Sequence, residues 1–344
     1  MSLSDVREFI LRNRRRLLVG LVAVLGIILA TGFLFREVVP EVSEEEKIPS
    51  FSLAQEPGSV VGAVDLSKLA SADFPPSITV YRTGKKDLTF TQDESKTLAA
   101  SFGFSQLSGE VDTPLGKIYV FAKTGEELTV TSNPRALHYT REGASGAGKL
   151  PTSVDAVQNA RGFLTAKNLP DPGSVSPIVK YLSTLGERTT ETVAEEARFV
   201  EVIFPWSVNG LDILGESPTD AAARLVFDSA GKLVYLTFKF SDYSFAVAQN
   251  IPLVSFTEAT SVLGREAQVV LVRPTGVVKE WTLSGSSNLS SFAPESVRLV
   301  YVKQSQGDLL YPVYLFEGTG RTGGIDVKAA VYVLAVSSRY IKEE

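Results

Sequence analysis

The sequence predicts an α+β protein in which a single N-terminal transmembrane helix is followed by repeated units of one helix and an antiparallel sheet. Three observations lead to this class. An uncharged apolar run stands near the N-terminus, later stretches carry apolar residues at helical spacing, and runs of alternating apolar and polar residues follow those stretches. The 344 residues, 44% hydrophobic and 21% charged, have ordinary globular composition, so the chain can form a sizeable core.

The composition also limits the chemistry. The chain has no cysteine and one histidine, which excludes disulfide frameworks, thiol chemistry and zinc fingers, and we expect no cofactor and no metal. The formal net charge is −5 at pH 7. Because phosphate contacts need clustered Lys and Arg, this charge argues against a nucleic-acid partner.

The run Leu17–Phe35 is predicted to be a transmembrane helix. It contains no charge and no proline, and at 1.5 Å per residue it would span about 28 Å, close to one hydrocarbon core. The alternative is a cleavable signal peptide whose small-x-small site would use Ala30 and Gly32. The run is longer than is usual for such a peptide, and bulky residues follow the site directly, so an uncleaved anchor in the bilayer is favoured.

The charges on either side of this run predict its orientation. Residues 1–16 form a basic tail, and glutamates follow the run, so the positive-inside bias places the tail in the cytoplasm and the C-terminal part outside. Residues 36–58 are acidic and proline-containing, which is typical of an extended stalk. We therefore expect a single-pass cell-membrane protein whose C-terminal region is extracytoplasmic.

The outer region is predicted to contain three α+β units. The first covers residues 59–142, the second 152–250 and the third 251–344. The glycine-rich segment 143–151 has no apolar periodicity and is interpreted as a linker between the first two units.

Each unit contains one predicted helix and several predicted strands. A helix begins at Thr91, another at Ser153, and a third at Ser255 or Thr257, because a capping residue precedes apolar positions at helical spacing. Alternation predicts antiparallel strands in the runs KIYVFAK, ELTVTSN, ALHYTRE, SPIVKYLST, ARFVEVIFPW, ARLVFD, KLVYLTFKF, VRLVYVKQ, LLYPVYLFEG and VKAAVYVLAV. The dipeptide Asn209-Gly210 is typical of a hairpin turn.

Part of the second and third units resembles a known family. A strand pair around a glycine turn, the segment IPLVSFTEA that opens a helix, and later LVY and PVY strands follow one another. This order resembles YycH/YycI-like extracytoplasmic regulators and, more loosely, PepSY-type domains, over about residues 195–335. The residues that carry it are Gly231, Ile251, Pro252, Ser255, Glu258, Ala259, Leu299, Tyr301, Pro312 and Tyr314. The resemblance implies outer domains that act by protein contact and an N-terminal helix that contacts a membrane histidine kinase.

The sequence offers few groups for catalysis. His138 lies in a predicted strand, where a structural or surface role is expected rather than that of a general base. The segment Gly318–Gly324 could bind an anion through its backbone amides, but a hairpin loop explains the same residues. Glu195, Glu196 and Glu201 flank an aromatic strand near Trp206, the one place where carboxylates and a Trp meet. A solvated hairpin edge explains them equally.

Two functions of different classes remain. The favoured one is a membrane-anchored regulatory or binding protein that acts by contact on a membrane sensor kinase or another cell-envelope protein. The alternative is a carboxylate-dependent envelope hydrolase that acts on glycan or peptide. Trp206, Tyr311 and Tyr314 are the candidate partner contacts, because interface energy concentrates in Trp and Tyr. The competing interpretation, that they fill the core, is stronger for Trp206 than for Tyr311.

Overall fold

The strands that the structure describes form two nine-stranded sheets. The structure is a computed structural model, and it describes residues 43, 47–51, 61–143, 148–185, 190–215, 221–275, 288–304 and 307–342. The predicted tail 1–16, the predicted membrane helix Leu17–Phe35 and most of the predicted stalk 36–58 lie outside the described residues. Residues Ile48–Glu344 belong to one compact unit.

The described part of the chain contains eighteen strands and three α-helices. The helices are α1 (Gln92–Ser101), α2 (Ser153–Ala166) and α3 (Phe256–Ser261). The strands are β1 (Val61–Val64), β2 (Ser77–Lys85), β3 (Gly109–Thr113), β4 (Gly116–Lys123), β5 (Glu126–Thr131), β6 (Ala136–Arg141), β7 (Ile178–Thr184), β8 (Thr190–Thr192), β9 (Phe199–Phe204), β10 (Trp206–Val208), β11 (Leu211–Leu214), β12 (Ala223–Asp228), β13 (Leu233–Lys239), β14 (Tyr243–Pro252), β15 (Gln268–Pro274), β16 (Leu289–Lys303), β17 (Leu309–Thr322) and β18 (Ile325–Leu334).

The predicted α+β class is wrong for the described residues, whereas the predicted transmembrane helix lies outside them. The described chain is mostly β, with three short helices against eighteen strands. In these residues no helix has both the length and the apolar character needed to cross a bilayer. The three outer helices were each predicted near their observed positions, but the strands that join them are more numerous than the alternation indicated.

Sheet I has the strand order β3-β4-β5-β6-β13-β12-β9-β7-β8, with all neighbours antiparallel. Helices α1 and α2 cover one of its faces. Thr91 begins α1 with a capping box that it forms with Glu94, and the side chain of Thr152 caps α2. The core below the helices includes Leu128 and Val202, both with no exposed surface, and burying such a side chain contributes about 1.5 to 3 kcal/mol.

Sheet II has the order β10-β11-β16-β17-β18-β15; β1 also pairs with β16, and β2 pairs with both β14 and β17. Pro312 is tolerated inside this sheet because of where it lies on β17. The pairing with β2 covers Leu309 and Leu310, and the pairing with β18 begins at Val313. Pro312, which has no N–H group, therefore lies between the ladder to β2 and the ladder to β18. No hydrogen bond of these two ladders is lost there.

The chain passes between the two sheets four times. It leaves sheet II after β2, returns to it for the hairpin β10–β11, goes back to sheet I for β12 and β13, and returns to sheet II at β14. The predicted units at 59–142, 152–250 and 251–344 are therefore interleaved in the sheets, since each sheet takes strands from more than one of them. The predicted boundaries between the units stay predictions.

Candidate functional site

A cleft of about 490 Å³ lies where the chain crosses between the sheets. All four crossings contribute to its lining: the end of β2, the step from β9 to β10, the residues on either side of the β11–β12 connection, and the β13–β14 connection. Binding sites favour such junctions between two packed bodies. The lining residues are Lys85, Asn133, Pro134, Arg135, Ala136, Trp206, Ile213, Leu214, Gly215, Ala221, Ala222, Lys239, Phe240, Ser241, Asp242, Tyr243, Phe245, Lys303 and Gln304.

The apolar part of the lining is built on an aromatic cluster. Trp206 is half-buried and meets Phe238 edge to face, with ring centroids 6.1 Å apart. Phe240 meets the same Phe238 ring at 4.8 Å and Phe90 at 4.9 Å. Contacts of this geometry fix the orientation of the rings. Trp206 and Phe240 therefore form an ordered apolar wall of the cleft.

The charged part of the lining is mostly positive. Lys85, Lys239, Lys303 and Arg135 line the cleft together with Asp242, the one carboxylate among the described lining residues. Asp242 is already paired, because Arg135 Nη2 lies 2.7 Å and Nε 2.8 Å from its Oδ1. The three lysines form no ion pair with the described residues. Within the described residues, the lining therefore carries three lysines that no carboxylate pairs with.

One of these lysines also contacts an aromatic ring of the cleft. Lys303 Nζ lies 4.8 Å from the ring centroid of Tyr243, a distance that is typical of a cation–π contact, and donates to the main-chain oxygen of Gln304 at 3.3 Å. Tyr243 is 38% exposed. This contact holds Lys303 beside the N-terminal end of β14, where a ligand can reach both groups.

Of the three predicted contact residues, only Trp206 lines the cleft. Tyr311 and Tyr314 are 3% and 0% exposed, so the expectation that they are exposed anchors is wrong. Both lie in β17, which has neighbours on both sides, and residues 309–316 of this strand are buried on both of its faces. The pattern of apolar residues around Pro312 is that of a fully buried strand. We therefore assign the two tyrosines to the core.

The hydroxyl groups of these tyrosines are satisfied inside the fold. Tyr314 donates to the main-chain oxygen of Val254 at 2.7 Å, and its ring lies 4.7 Å from that of Phe74. Burial raises the pKa of Tyr314 to about 12. Tyr311 packs on Phe51 at 5.2 Å, and its pKa is also raised by burial. Both rings therefore hold the fold together rather than offering a binding surface.

The carboxylates of the alternative, hydrolytic interpretation do not meet Trp206. Glu201 lies in β9 of sheet I, is 7% exposed and pairs with Arg224 at 3.2 Å. Glu195 and Glu196 are exposed in the turn before that strand, and Thr192 donates to Glu196 at 3.0 Å. Trp206 belongs to sheet II. Glu201 and Glu196 therefore have partners inside the fold, and none of the three carboxylates lines the cleft with Trp206.

The remaining candidates for chemistry are also structural. His138 lies in β6 and meets Tyr235 edge to face at 5.1 Å; burial lowers its pKa, against the opposite effect of Glu127. A hairpin joins β17 to β18 as predicted, but its turn is only Gly323 and Gly324, and residues 318–322 of the predicted loop belong to β17. Gly318 is needed there because a Cβ atom would lie 2.1 Å from the main-chain oxygen of Ala293. Among the described residues no acidic or histidine cluster could hold a metal ion.

Sequence reasoning missed the lysines and Tyr243 of the cleft. These residues lie on four different strands, and no spacing along the chain relates them. Short predicted strands and turns near residues 205, 215 and 241 could have indicated them. These are the places where the chain crosses between the two sheets.

Comparisons with known proteins add little to this geometry. No family model matches the chain, and no curated protein is significantly similar to it. A crystal structure of an uncharacterized protein from Eubacterium rectale ATCC 33656 is similar with a TM-score of 0.45 and 9% sequence identity, covering 79% of this chain and 86% of that one. A score of this size carries no argument about function. The resemblance to YycH/YycI-like regulators stays a prediction.

Proposed function

We propose that the protein is a non-catalytic binding module that recognises an acidic segment of a partner protein at the cleft. The observation that carries this proposal is the lining itself, in which half-buried aromatic rings occur together with three lysines that form no ion pair with a described residue. Aromatic side chains are enriched in protein recognition sites, and Trp and Tyr often contribute much of the binding energy there. Complementary charge also increases the rate at which an oppositely charged partner associates.

The chemistry of the cleft supports binding better than hydrolysis. Glycoside hydrolysis needs two carboxyl groups, about 5 to 10 Å apart, on either side of the substrate. The described lining has one, Asp242, and the ion pair with Arg135 already uses it. Binding of an acidic segment, in contrast, needs no second carboxyl group. The partner is expected in the cell envelope on the basis of the sequence, and this location stays a prediction.

Site-specific photo-crosslinking in the producing cells tests the proposal. The full-length protein would carry p-benzoylphenylalanine in place of Tyr243, which is 38% exposed in the cleft, or in place of Leu115, which is 68% exposed in the β3–β4 turn. We expect a protein adduct from position 243 that is lost when Lys303→Glu is added. Equal adducts from the two positions, or none from position 243, would contradict the proposal.

A further inference from the structure

Strand β14 has a free edge that begins at the cleft. Among the described strands it pairs only with β2, and its first two apolar side chains, Tyr243 and Phe245, line the cleft. Its ten residues, YSFAVAQNIP, carry no charge, and Val247 is 70% exposed. An exposed, uncharged edge of this length is an available template for another strand.

The other strand edges of the two sheets are protected in ways that β14 is not. Strands β1, β8 and β10 have four, three and three residues. Edge strand β3 carries Glu110 and Asp112, and edge strand β15 carries Arg273. Short length and charge are usual protections against edge pairing. Only a register shift between Val247 and Gln249 interrupts β14, which leaves the stretch Tyr243–Val247 regular.

The hydrogen bonds of β2 show which backbone groups of β14 face outward. Lys86 N donates to Asp242 O at 2.6 Å, whereas Thr83 N donates away from β14, to Asp308 O. Hydrogen-bonded and non-hydrogen-bonded pairs alternate in an antiparallel ladder. Because Tyr243, Phe245 and Val247 oppose Lys85, Thr83 and Tyr81, these three residues of β14 point their N–H and C=O groups to the free edge.

The lysines near Tyr243 indicate which end of an added strand would be acidic. Lys85 opposes Tyr243 in the ladder, Lys303 lies over the Tyr243 ring, and Lys239 lines the same cleft. Antiparallel pairing is somewhat more stable than parallel pairing. A strand antiparallel to β14 would bring its C-terminal end to these lysines, so acidic residues belong at that end.

We propose that β14 binds an extended segment of the partner protein as an added antiparallel strand over Tyr243–Val247, with acidic residues at the C-terminal end of that segment. The inference rests on the proposed function and specifies its ligand. Strand addition uses main-chain hydrogen bonds for affinity and side-chain pockets for selectivity. In this protein the outward N–H groups of β14 would supply the affinity. The aromatic, lysine-rich cleft would supply the selectivity.

A pair of variants at one position isolates the backbone contribution. Val247→Pro removes an outward N–H group and leaves the ladder to β2 intact, since proline is tolerated at an outward position of an edge strand. Val247→Ala removes the side chain and keeps the N–H group. Both variants should fold, because the side chain is exposed; circular dichroism and melting temperature check this.

The probe is a peptide selected from a random decapeptide library on the full-length protein. We expect selected peptides with β-branched or aromatic residues followed by Asp or Glu. Val247→Pro should weaken their binding about tenfold, as expected for a lost hydrogen bond, and Val247→Ala should weaken it less than about threefold. N-methylation of the peptide amides that face β14 should abolish binding, and reversing the peptide sequence should weaken it.

The outcomes separate this inference from the proposed function. Equal affinity for the two Val247 variants, or full binding of the N-methylated peptide, would overturn strand addition. In that case loss of the same peptide on Lys303→Glu would still support binding at the cleft. If no peptide is selected, the inference fails, and the crosslinking at position 243 decides the proposed function separately.

Discussion

Arg135 and Asp242 form an ion pair at the point where the chain passes from sheet I to sheet II, with Arg135 Nη2 2.7 Å from Asp242 Oδ1. The guanidinium group also stacks over Phe90 and Phe240, at 5.2 and 5.5 Å. Asp242 lies directly before β14, and its main-chain oxygen accepts from Lys86. The pair therefore fixes the start of β14 relative to the aromatic wall of the cleft, and it uses the one carboxylate among the described lining residues.

The first prediction concerns this ion pair. Its side chains are 20% and 12% exposed, so replacing Asp242 by Ala leaves a largely desolvated guanidinium and should lower the free energy of unfolding by about 2 kcal/mol. Urea denaturation of Asp242→Ala, Arg135→Ala and the double variant measures the coupling. If the double variant loses the sum of the single losses, the two residues do not stabilise one another.

The second prediction corrects the expectation for Tyr311. As a core residue with 3% exposure, its replacement by Ala should lower the free energy of unfolding by about 3 to 5 kcal/mol. Tyr311→Phe keeps the ring and should cost about 1 kcal/mol, because its hydroxyl group makes only long contacts, 3.4 and 3.5 Å, to the main-chain oxygens of Pro49 and Ser50. An unchanged denaturation midpoint for Tyr311→Ala would show that the ring does not pack as described.

The comparison of sequence and structure shows what local patterns can predict. The three outer helices were predictable because a cap such as Thr91 and apolar spacing act within a few residues of one another. The turn at Asn209-Gly210 was predictable because both residues have positive φ, 49° and 76°, which this dipeptide adopts easily. The meander of β4, β5 and β6 followed from alternation, as predicted.

Two features were beyond the reach of such patterns. Strand β14 was missed because most of its side chains are exposed, so no alternation of burial marks it. The burial of Tyr311 depends on Phe51, which contacts it from far along the chain. The cleft depends in the same way on strands that are distant in sequence, and sequence reasoning therefore found Trp206 without the lysines beside it.

The third prediction concerns Asp212, a buried carboxylate that joins the β10–β11 hairpin to the segment before β7. Its oxygens accept from the main-chain N–H groups of Val175 and Ser176 at 2.8 and 3.0 Å and from the Ser174 hydroxyl at 3.2 Å. Asp212→Ala leaves these donors without a partner and should cost about 3 kcal/mol in the free energy of unfolding.

A nearby hydroxyl group gives the control for Asp212. Ser207 donates to the main-chain oxygen of Gly173 at 2.6 Å in an exposed position, so Ser207→Ala should cost about 1 kcal/mol or less. Urea denaturation compares the two variants. Equal losses would mean that Asp212 contributes no more than an ordinary surface hydrogen bond.

The fourth prediction is a loss of stability at alkaline pH. Burial raises the pKa of Tyr314 from its ordinary value of 10.0 to about 12 in the folded protein. Between these values the unfolded chain releases the phenolic proton and the folded chain keeps it. The unfolded state therefore binds fewer protons, and the free energy of unfolding falls by up to about 1.4 kcal/mol per pH unit for each such group.

Tyr314→Phe tests this linkage because it removes the titrating group and keeps the ring. The variant loses the hydrogen bond to Val254, so at pH 8 it should be about 1 kcal/mol less stable than the parent protein. Above pH 10 its stability should fall less steeply, so that the difference between the two proteins shrinks or reverses near pH 12. Urea denaturation between pH 8 and pH 12 gives both slopes. Parallel curves would show that the Tyr314 hydroxyl titrates alike in the folded and unfolded chains.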